Sequence, residues 1–362
     1  MTLAEQLARN VAEADLYERL EGNRVRCLAC GHRCPIPAGF AGVCKVRFNR
    51  AGTLYSPHGY VNSLRCDPIE KKPFYHVRPG SAAMSFGMLG CSLHCSYCQN
   101  WITSQALRDL RSTLEFRPVT PREIVRRALA AGAESVVSTY NEPLITSEWA
   151  VAVFEEAHRA GLLTGFVSNG NATPEALRYL RPHLDLFKVD LKSFSDRRYH
   201  ELGGRLKPIL ESIALIHEMG FWMEVVTLVV PGFNDSSEEL GSIARFLAGI
   251  SRDIPWHVIA FHPDYKMREA RATPIETLRR AVAMGREAGL HFVYLGNVSD
   301  RADTRCAACG APLVERCGMR VLMNRVVEPG HCPDCGSAVP GVWTMAPRRR
   351  EDLTGVVYRQ CG

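Results

Sequence analysis

A chain of 362 residues, 46% hydrophobic and 23% charged, has an ordinary globular composition and is long enough for one large domain with small appendages. No apolar run approaches the roughly 20 residues a membrane span needs, and residues 1–20 carry no signal-peptide core, so the expected location is cytoplasmic. The net charge of +6 tolerates an anionic partner but does not by itself point to nucleic acid.

Fourteen cysteines are many for a reducing compartment, where a disulfide framework does not persist. Eleven of them fall into three tight groups, which makes metal binding the better account. Cys66, Cys317 and Cys361 stand outside and read as plain thiols.

In chain order, residues 1–20 alternate acidic and apolar residues and read as an amphipathic surface helix. The first group follows, Cys27, Cys30, Cys34 and Cys44, among the turn formers Gly31, Pro35, Pro37, Gly39 and Gly42. Such a segment has too little apolar core to fold unaided, so four soft ligands would hold it around zinc or a second iron–sulfur cluster. In the run Asp67-Pro68-Ile69-Glu70-Lys71-Lys72-Pro73, two prolines bracket a loop of fixed shape. It is either a solvated charge run or part of the mouth of a site.

An apolar strand over 82–89 leads into Cys91-Ser92-Leu93-His94-Cys95-Ser96-Tyr97-Cys98. Three thiolates on one loop can ligate one iron–sulfur cube and leave its fourth iron open to a substrate. The plainer alternative is an incomplete zinc site.

Strands are then expected over 135–140, 162–168, 184–191, 221–230, 256–261 and 291–295. Helices are expected over 121–131, 143–160, 174–180, 208–219, 237–247 and 275–288, with Thr120 capping the first. Repeated βα units imply an α/β fold with a parallel sheet curled into a full or partial (β/α) barrel; an open doubly wound sheet is the alternative. Polar clusters follow the strands: Tyr140-Asn141-Glu142-Pro143, Ser168-Asn169-Gly170-Asn171, Asp190-Leu191-Lys192, Pro231-Gly232-Phe233-Asn234-Asp235, His262-Pro263-Asp264-Tyr265-Lys266 and Gly296-Asn297. In a barrel these would share one catalytic rim.

Cys306-x2-Cys309 and Cys332-x2-Cys335, each followed by a glycine (Gly310, Gly336), form a zinc-ribbon signal with a hairpin expected within 313–327. A rubredoxin-type iron or a redox dithiol is the alternative there. Arg348-Arg349-Arg350 reads as a solvated segment. The expected organisation is a Cys-rich metal-binding segment over 1–80, a barrel core over 81–300 and a zinc-ribbon domain over 301–362.

Residues 82–297 resemble the radical S-adenosylmethionine (SAM) superfamily and are similar to pyruvate formate-lyase activating enzyme. The flanking parts resemble the radical SAM enzyme of the AmmeMemoRadiSam system, on Arg24-Val25-Arg26-Cys27, on the 67–73 run and on Phe261-His262-Pro263-Asp264-Tyr265-Lys266. The resemblance implies a 4Fe–4S cluster on Cys91, Cys95 and Cys98, with SAM on the free iron and cleaved to a 5′-deoxyadenosyl radical that abstracts hydrogen from a substrate. Tyr97 fits the superfamily pattern. The superfamily has Gly-Gly-Glu-Pro where this chain has Tyr140-Asn141-Glu142-Pro143; Glu142 would meet the SAM ammonium, with the Asn141 side-chain oxygen standing in for backbone carbonyls. Lys192 would meet the SAM carboxylate, with Asp190 aiming it or touching substrate. Ser168 and Asn169 would meet the ribose, and Tyr97, Val230 and the His262-Pro263 turn would form the adenine slot. Asp190 and His262 are the candidates for catalytic contact.

The implied partners are an electron donor such as flavodoxin or ferredoxin, a Memo-type protein and an AMMECR-type protein. One alternative function is a glycyl-radical-enzyme activase, although the ferredoxin-like insert common after the cysteine motif in such activases is absent. Another is a zinc-ribbon nucleic-acid-binding protein with an inactive barrel.

Overall fold

A computed structural model describes residues 3–109, 111 and 116–344. The Arg348-Arg349-Arg350 run and Cys361 lie outside the described residues. Its centre is an eight-stranded sheet: β1 Ser63–Pro68, β2 Ala82–Gly87, β3 Ala133–Ser138, β4 Leu163–Ser168, β5 Leu186–Asp190, β6 Trp222–Val229, β7 Trp256–Ala260 and β8 Val293–Gly296. The strands lie edge to edge in chain order; β1 is antiparallel to β2 and every later neighbour is parallel.

That order decides between the two architectures. Right-handed crossovers that always step the same way put every helix on one face, whereas a doubly wound sheet needs a reversal of direction. The chain therefore forms a partial barrel, with β1 and β8 as its two edges.

Side-chain alternation then separates two environments. Met84, Phe86, Val136, Phe166, Phe187, Val189, Val225 and Val258 face outward and join Ile124, Trp149, Phe154, Ile213, Leu240 and Leu278 of the helices in one apolar core. The opposite face carries Ser85, Lys188, Asp190, Glu224 and His257 beside the apolar Ala83, Val137, Leu163 and Leu186, so the inner face is mixed and holds buried charge. Thr120 caps the helix Pro121–Ala130 by accepting from Glu123 N, and Thr173 caps Pro174–Leu180 by accepting from Ala176 N.

Two expectations are corrected. Residues 1–20 are not one helix: only Leu3–Leu7 is helical, and Val11–Glu13 and Tyr17–Arg19 are strands. Ala14 and Leu16 are buried while Glu13 and Asp15 are exposed, so the acidic/apolar alternation has the period of a strand. Val11–Glu13 pairs with Thr53–Pro57, and Tyr17–Arg19 with Val25–Cys27, and a helix of five residues has little stability of its own. The 67–73 run is not a solvated face either. It contains the end of β1 and a single 3₁₀ turn, Ile69–Lys71, and Glu70 and Lys72 are only 2% and 3% exposed.

The expected C-terminal hairpin is present as Pro312–Cys317 and Arg320–Asn324. It docks on residues 70–78 through buried polar contacts. Arg316 donates to Tyr75 O at 2.6 Å and Thr304 Oγ1 at 2.9 Å and lies over the Tyr75 ring. His76 Nδ1–H donates to Pro340 O at 2.7 Å, and its Nε2 accepts from Tyr294 Oη at 2.6 Å. Glu224 accepts the Tyr75 and His76 N–H groups at 2.9 Å each and His257 Nε2–H at 2.7 Å. These contacts close the end of the inner face at the strand N-termini. Among the described residues no helix is long and apolar enough to cross a membrane.

Candidate active site

The cysteine loop leaves β2 through two tight glycines. A Cβ on Gly87 would sit 2.9 Å from Thr139 O and 2.9 Å from the Tyr140 ring, and Gly90 has φ +97°. The loop is then tied at many points. Gly90 N–H donates to Thr103 O at 3.0 Å, His94 N–H to Leu202 O at 2.9 Å, and Gln105 Nε2 and Arg108 Nη1 both donate to Leu93 O. Cys95 is buried and Cys91 and Cys98 are half-buried. Burial pushes the Cys95 thiol up to about 11, so its thiolate needs a cation beside it.

The exit of β3 supplies the carboxylate. Tyr140 has φ +73°, a costly conformation for a non-glycine residue, and it turns the chain into Asn141 and Glu142. Glu142 is buried; Oε1 accepts from Ser168 Oγ at 2.7 Å and Leu144 N at 3.1 Å, and Oε2 accepts from Asn169 N at 2.8 Å. Burial pushes it up to about 7 against the pull of these hydrogen bonds. Asn141 Oδ1 accepts from Met88 N at 2.9 Å, so the oxygen expected to face an ammonium is bonded to the strand leading into the cysteine loop. Asn169 reaches the loop itself: its Nδ2 is 3.0 Å from Ser92 Oγ and 3.9 Å from Cys91 Sγ.

The exit of β5 supplies the charge. Asp190 is held between Lys188, with a short contact, and Lys192 at 3.3 Å. Burial opposes the charge on Asp190, but the two ammonium groups outweigh it and hold the carboxyl low. Burial likewise opposes the charge on Lys192, and Asp190 more than restores it. Lys188 is a site residue that the sequence reading did not single out; strand alternation places it on the face of Asp190.

Tyr97 and Val230 are buried together with Leu93, Cys95, Leu202 and Phe261, and Phe233 packs edge-on to Tyr97 at 5.4 Å. The Tyr97 hydroxyl is buried and has no hydrogen-bond partner. His262 is exposed, apart from this cluster. Its neighbours do reach the loop: Lys266 N–H donates to Ser96 O at 3.1 Å, and Tyr265 stacks on Trp101 at 5.0 Å. Three thiols, a buried carboxylate, an ammonium pair and an orphaned phenol thus converge, and this donor set fits a thiolate-held cluster beside a zwitterionic ligand. Along the open side between 70–75 and β8 lies a cavity of 340 Å³, with Glu70, Lys71, His257, Gly296, Asn297 and Met319 in its wall.

At the C-terminal group, Cys306 Sγ–Cys335 Sγ and Cys309 Sγ–Cys332 Sγ are each 3.7 Å. A tetrahedron of sulfurs at 2.3 Å from zinc has edges of about 3.8 Å. Gly310 N–H donates to Cys306 O and Gly336 N–H to Cys332 O, both at 2.9 Å, and both glycines have positive φ, so the two knuckles are matched turns. Among the described residues this is the one set of three or more ligand side chains whose donor atoms all lie within 4.8 Å of one another.

The site is thus a partial (β/α) barrel with thiols, carboxylate and lysine gathered at its strand ends. The Radical SAM superfamily model matches residues 87–247. An uncharacterized protein of Methanocaldococcus jannaschii is 37% identical over 332 residues, 90% of this chain and 98% of that one. The pyruvate formate-lyase-activating enzyme of Clostridium pasteurianum is 23% identical over 224 residues, 56% of this chain and 89% of that one. A crystal structure of a radical SAM methyltransferase from Sphaerobacter thermophilus overlays with a TM-score of 0.46 at 19% identity, covering 72% of this chain and 76% of that one. Residues 87–247 carry the radical SAM domain, and the chain resembles the pyruvate formate-lyase activating enzymes. That domain implies a 4Fe–4S cluster and S-adenosylmethionine as cofactors.

Proposed function

We propose that Cys91, Cys95 and Cys98 hold a 4Fe–4S cluster and that the chain uses it to cleave SAM reductively and abstract hydrogen from a substrate. The observation that carries this reading is that Glu142, Ser168 and Asn169 are linked to one another and, through Asn169 Nδ2, to the Ser92 hydroxyl beside Cys91, by hydrogen bonds of 2.7–3.0 Å. The bound cofactors supply a one-electron reductant and a 5′-deoxyadenosyl radical.

The chain's own residues bind and orient. Glu142 presents a carboxylate to the SAM ammonium, and Asn169 presents its amide to the ribose edge. Lys192 faces the SAM carboxylate, and Asp190 fixes its ammonium. Tyr97, Val230 and Phe261 keep water from the adenine side and leave the Tyr97 hydroxyl as its polar contact.

The 24–27, 67–73 and 261–266 motifs support a place in the AmmeMemoRadiSam system, beside Memo-type and AMMECR-type proteins and an external electron donor such as flavodoxin. The C-terminal thiols are proposed to hold structural zinc. The test is Cys95→Ala in anaerobically purified protein. Loss of the roughly 400 nm thiolate-to-iron absorption and of 5′-deoxyadenosine formation is expected; unchanged cleavage would remove the ligand assignment.

A further inference from the structure

The N-terminal cysteine segment grips the cysteine loop from outside. His32 Nε2–H donates to Ser92 O at 3.0 Å. Arg108 bridges the two segments: Nη1 donates to Leu93 O at 3.0 Å, and Nη2 donates to Val43 O. Ser92 and Leu93 stand directly after Cys91 in the stretch leading to Cys95, so these bonds hold the carbonyls that set the separation of the two thiols. Val46 packs so closely on Gly90 that a Cβ there would come within 2.9 Å of it.

The gripping residues are themselves embedded among thiols. His32 lies two residues from both Cys30 and Cys34, and Val43 directly precedes Cys44. The same segment is docked on the exit of β4: Gly31 N–H donates to Asn171 O at 2.9 Å, Thr173 Oγ1 donates to Leu28 O, and Arg33 pairs with Glu175 at 2.6 Å. At Gly31 a Cβ would meet Asn171 Oδ1 at 2.3 Å, so the two surfaces are in full contact.

We propose that residues 27–47 are a metal-dependent clamp on the cluster loop. A thiolate-held centre on Cys27, Cys30, Cys34 and Cys44, whose sulfurs are not drawn within 4.8 Å of one another as the C-terminal four are and so suit an iron–sulfur cluster rather than a single zinc ion, fixes His32 and Val43. Through Ser92 and Leu93 they fix the spacing of Cys91 and Cys95. His32 and Arg108 are positioning residues, and the inference rests on reading Cys91, Cys95 and Cys98 as cluster ligands. Arg108 also brings a positive charge to the loop, which favours the reduced, more negative cluster.

The test uses the full chain, purified anaerobically, with iron, sulfide and zinc counted and the electron-spin signal recorded after dithionite reduction, with and without SAM. C27A/C30A is expected to lose one metal centre and, with it, more than half of the SAM-responsive signal. Lost iron with matching sulfide supports the clamp; lost zinc alone, or loss of neither, overturns it. H32A and R108M, which leave all thiols in place, are expected to keep the N-terminal metal, shift the spin signal and weaken its response to SAM. R108M is also expected to lower the cluster's midpoint potential, and R108K to restore part of it. Unchanged signals and potential in H32A and R108M overturn the clamp even where C27A/C30A fails to fold. A wild-type chain without any SAM-responsive signal overturns the cluster assignment itself, a result distinct from failure of the clamp alone.

Discussion

Glu142 Oε2 accepts the Asn169 N–H at 2.8 Å, so one buried carboxylate joins the exits of two adjacent strands. The same carboxylate is the counter-charge proposed for the SAM ammonium. Removing it in E142Q takes away a charge-assisted hydrogen bond of about 1.5–3 kcal/mol, which corresponds to roughly 10–100-fold weaker SAM binding. Burial places Glu142 at about 7, above its ordinary value. Wild-type SAM affinity is therefore expected to rise with pH across 7, while E142Q stays flat; calorimetry on the anaerobic protein reads both. The stability linkage runs the other way: a raised carboxyl contributes its share at low pH and loses it as pH climbs through about 7.

Arg47 and Glu148 form a buried two-pronged ion pair, with Nη1 and Nη2 each 2.7 Å from a carboxylate oxygen. Glu148 also accepts Leu16 N–H at 3.3 Å, so the pair ties the N-terminal strands to the helix Ser147–Arg159. Truncating one partner of such a pair costs about 3–5 kcal/mol, because the other charge is left buried. R47M is expected to lose that much in urea unfolding. R47M/E148L should lose less than the sum of the two single variants, and strict additivity would remove the pairing argument.

His76 donates to Pro340 O, accepts from Tyr294 Oη and is fully buried; burial holds it down at about 4. A depressed histidine contributes stability that is fully present above about 6.5 and drains away as pH falls toward 4, because the unfolded chain takes up the proton first. The loss over that window is roughly 3 kcal/mol for this group. H76Q is expected to lower stability at pH 7 and to reduce the slope between pH 6.5 and 4 by up to about one proton. Chemical unfolding at several pH values measures it, and an unchanged slope would exclude His76 as its source.

The 3.7 Å sulfur pairs at the C-terminus match a tetrahedral ion and nothing larger. C309S is expected to drop the zinc count by one per chain and to lower the melting temperature. Chelation of the wild type should do the same without abolishing the visible absorption of the 91–98 loop. Loss of that absorption alongside zinc would mean that the two centres are not independent.

The site was legible where chemistry and spacing coincide. Cys91, Cys95 and Cys98 announce themselves by interval, and Glu142, Ser168, Asn169, Asp190 and Lys192 by following apolar strands. His262, read by the same rule, lies exposed, because the turn after β7 sends its backbone at Lys266, and its ring at Tyr265, onto the cysteine loop instead. Lys188 was missed because a lysine inside a strand looks like a solvated position until the inner face is known to hold buried charge. Residues 1–20 were misread because five-residue and three-residue elements carry too little periodicity to separate a helix from a strand.

Local order along the chain, meaning the thiol intervals, the βα repeat, the helix caps and the matched glycine knuckles, was determined by sequence alone, since each depends on residues a few positions apart. What neighbours what across long intervals belongs to the tertiary structure: His32 on Ser92, Arg47 on Glu148, Arg316 on Tyr75, and one carboxylate shared by two strand exits. Those contacts join segments 60–241 residues apart, or arise only once strand order and face are fixed, and no local pattern encodes such a pairing.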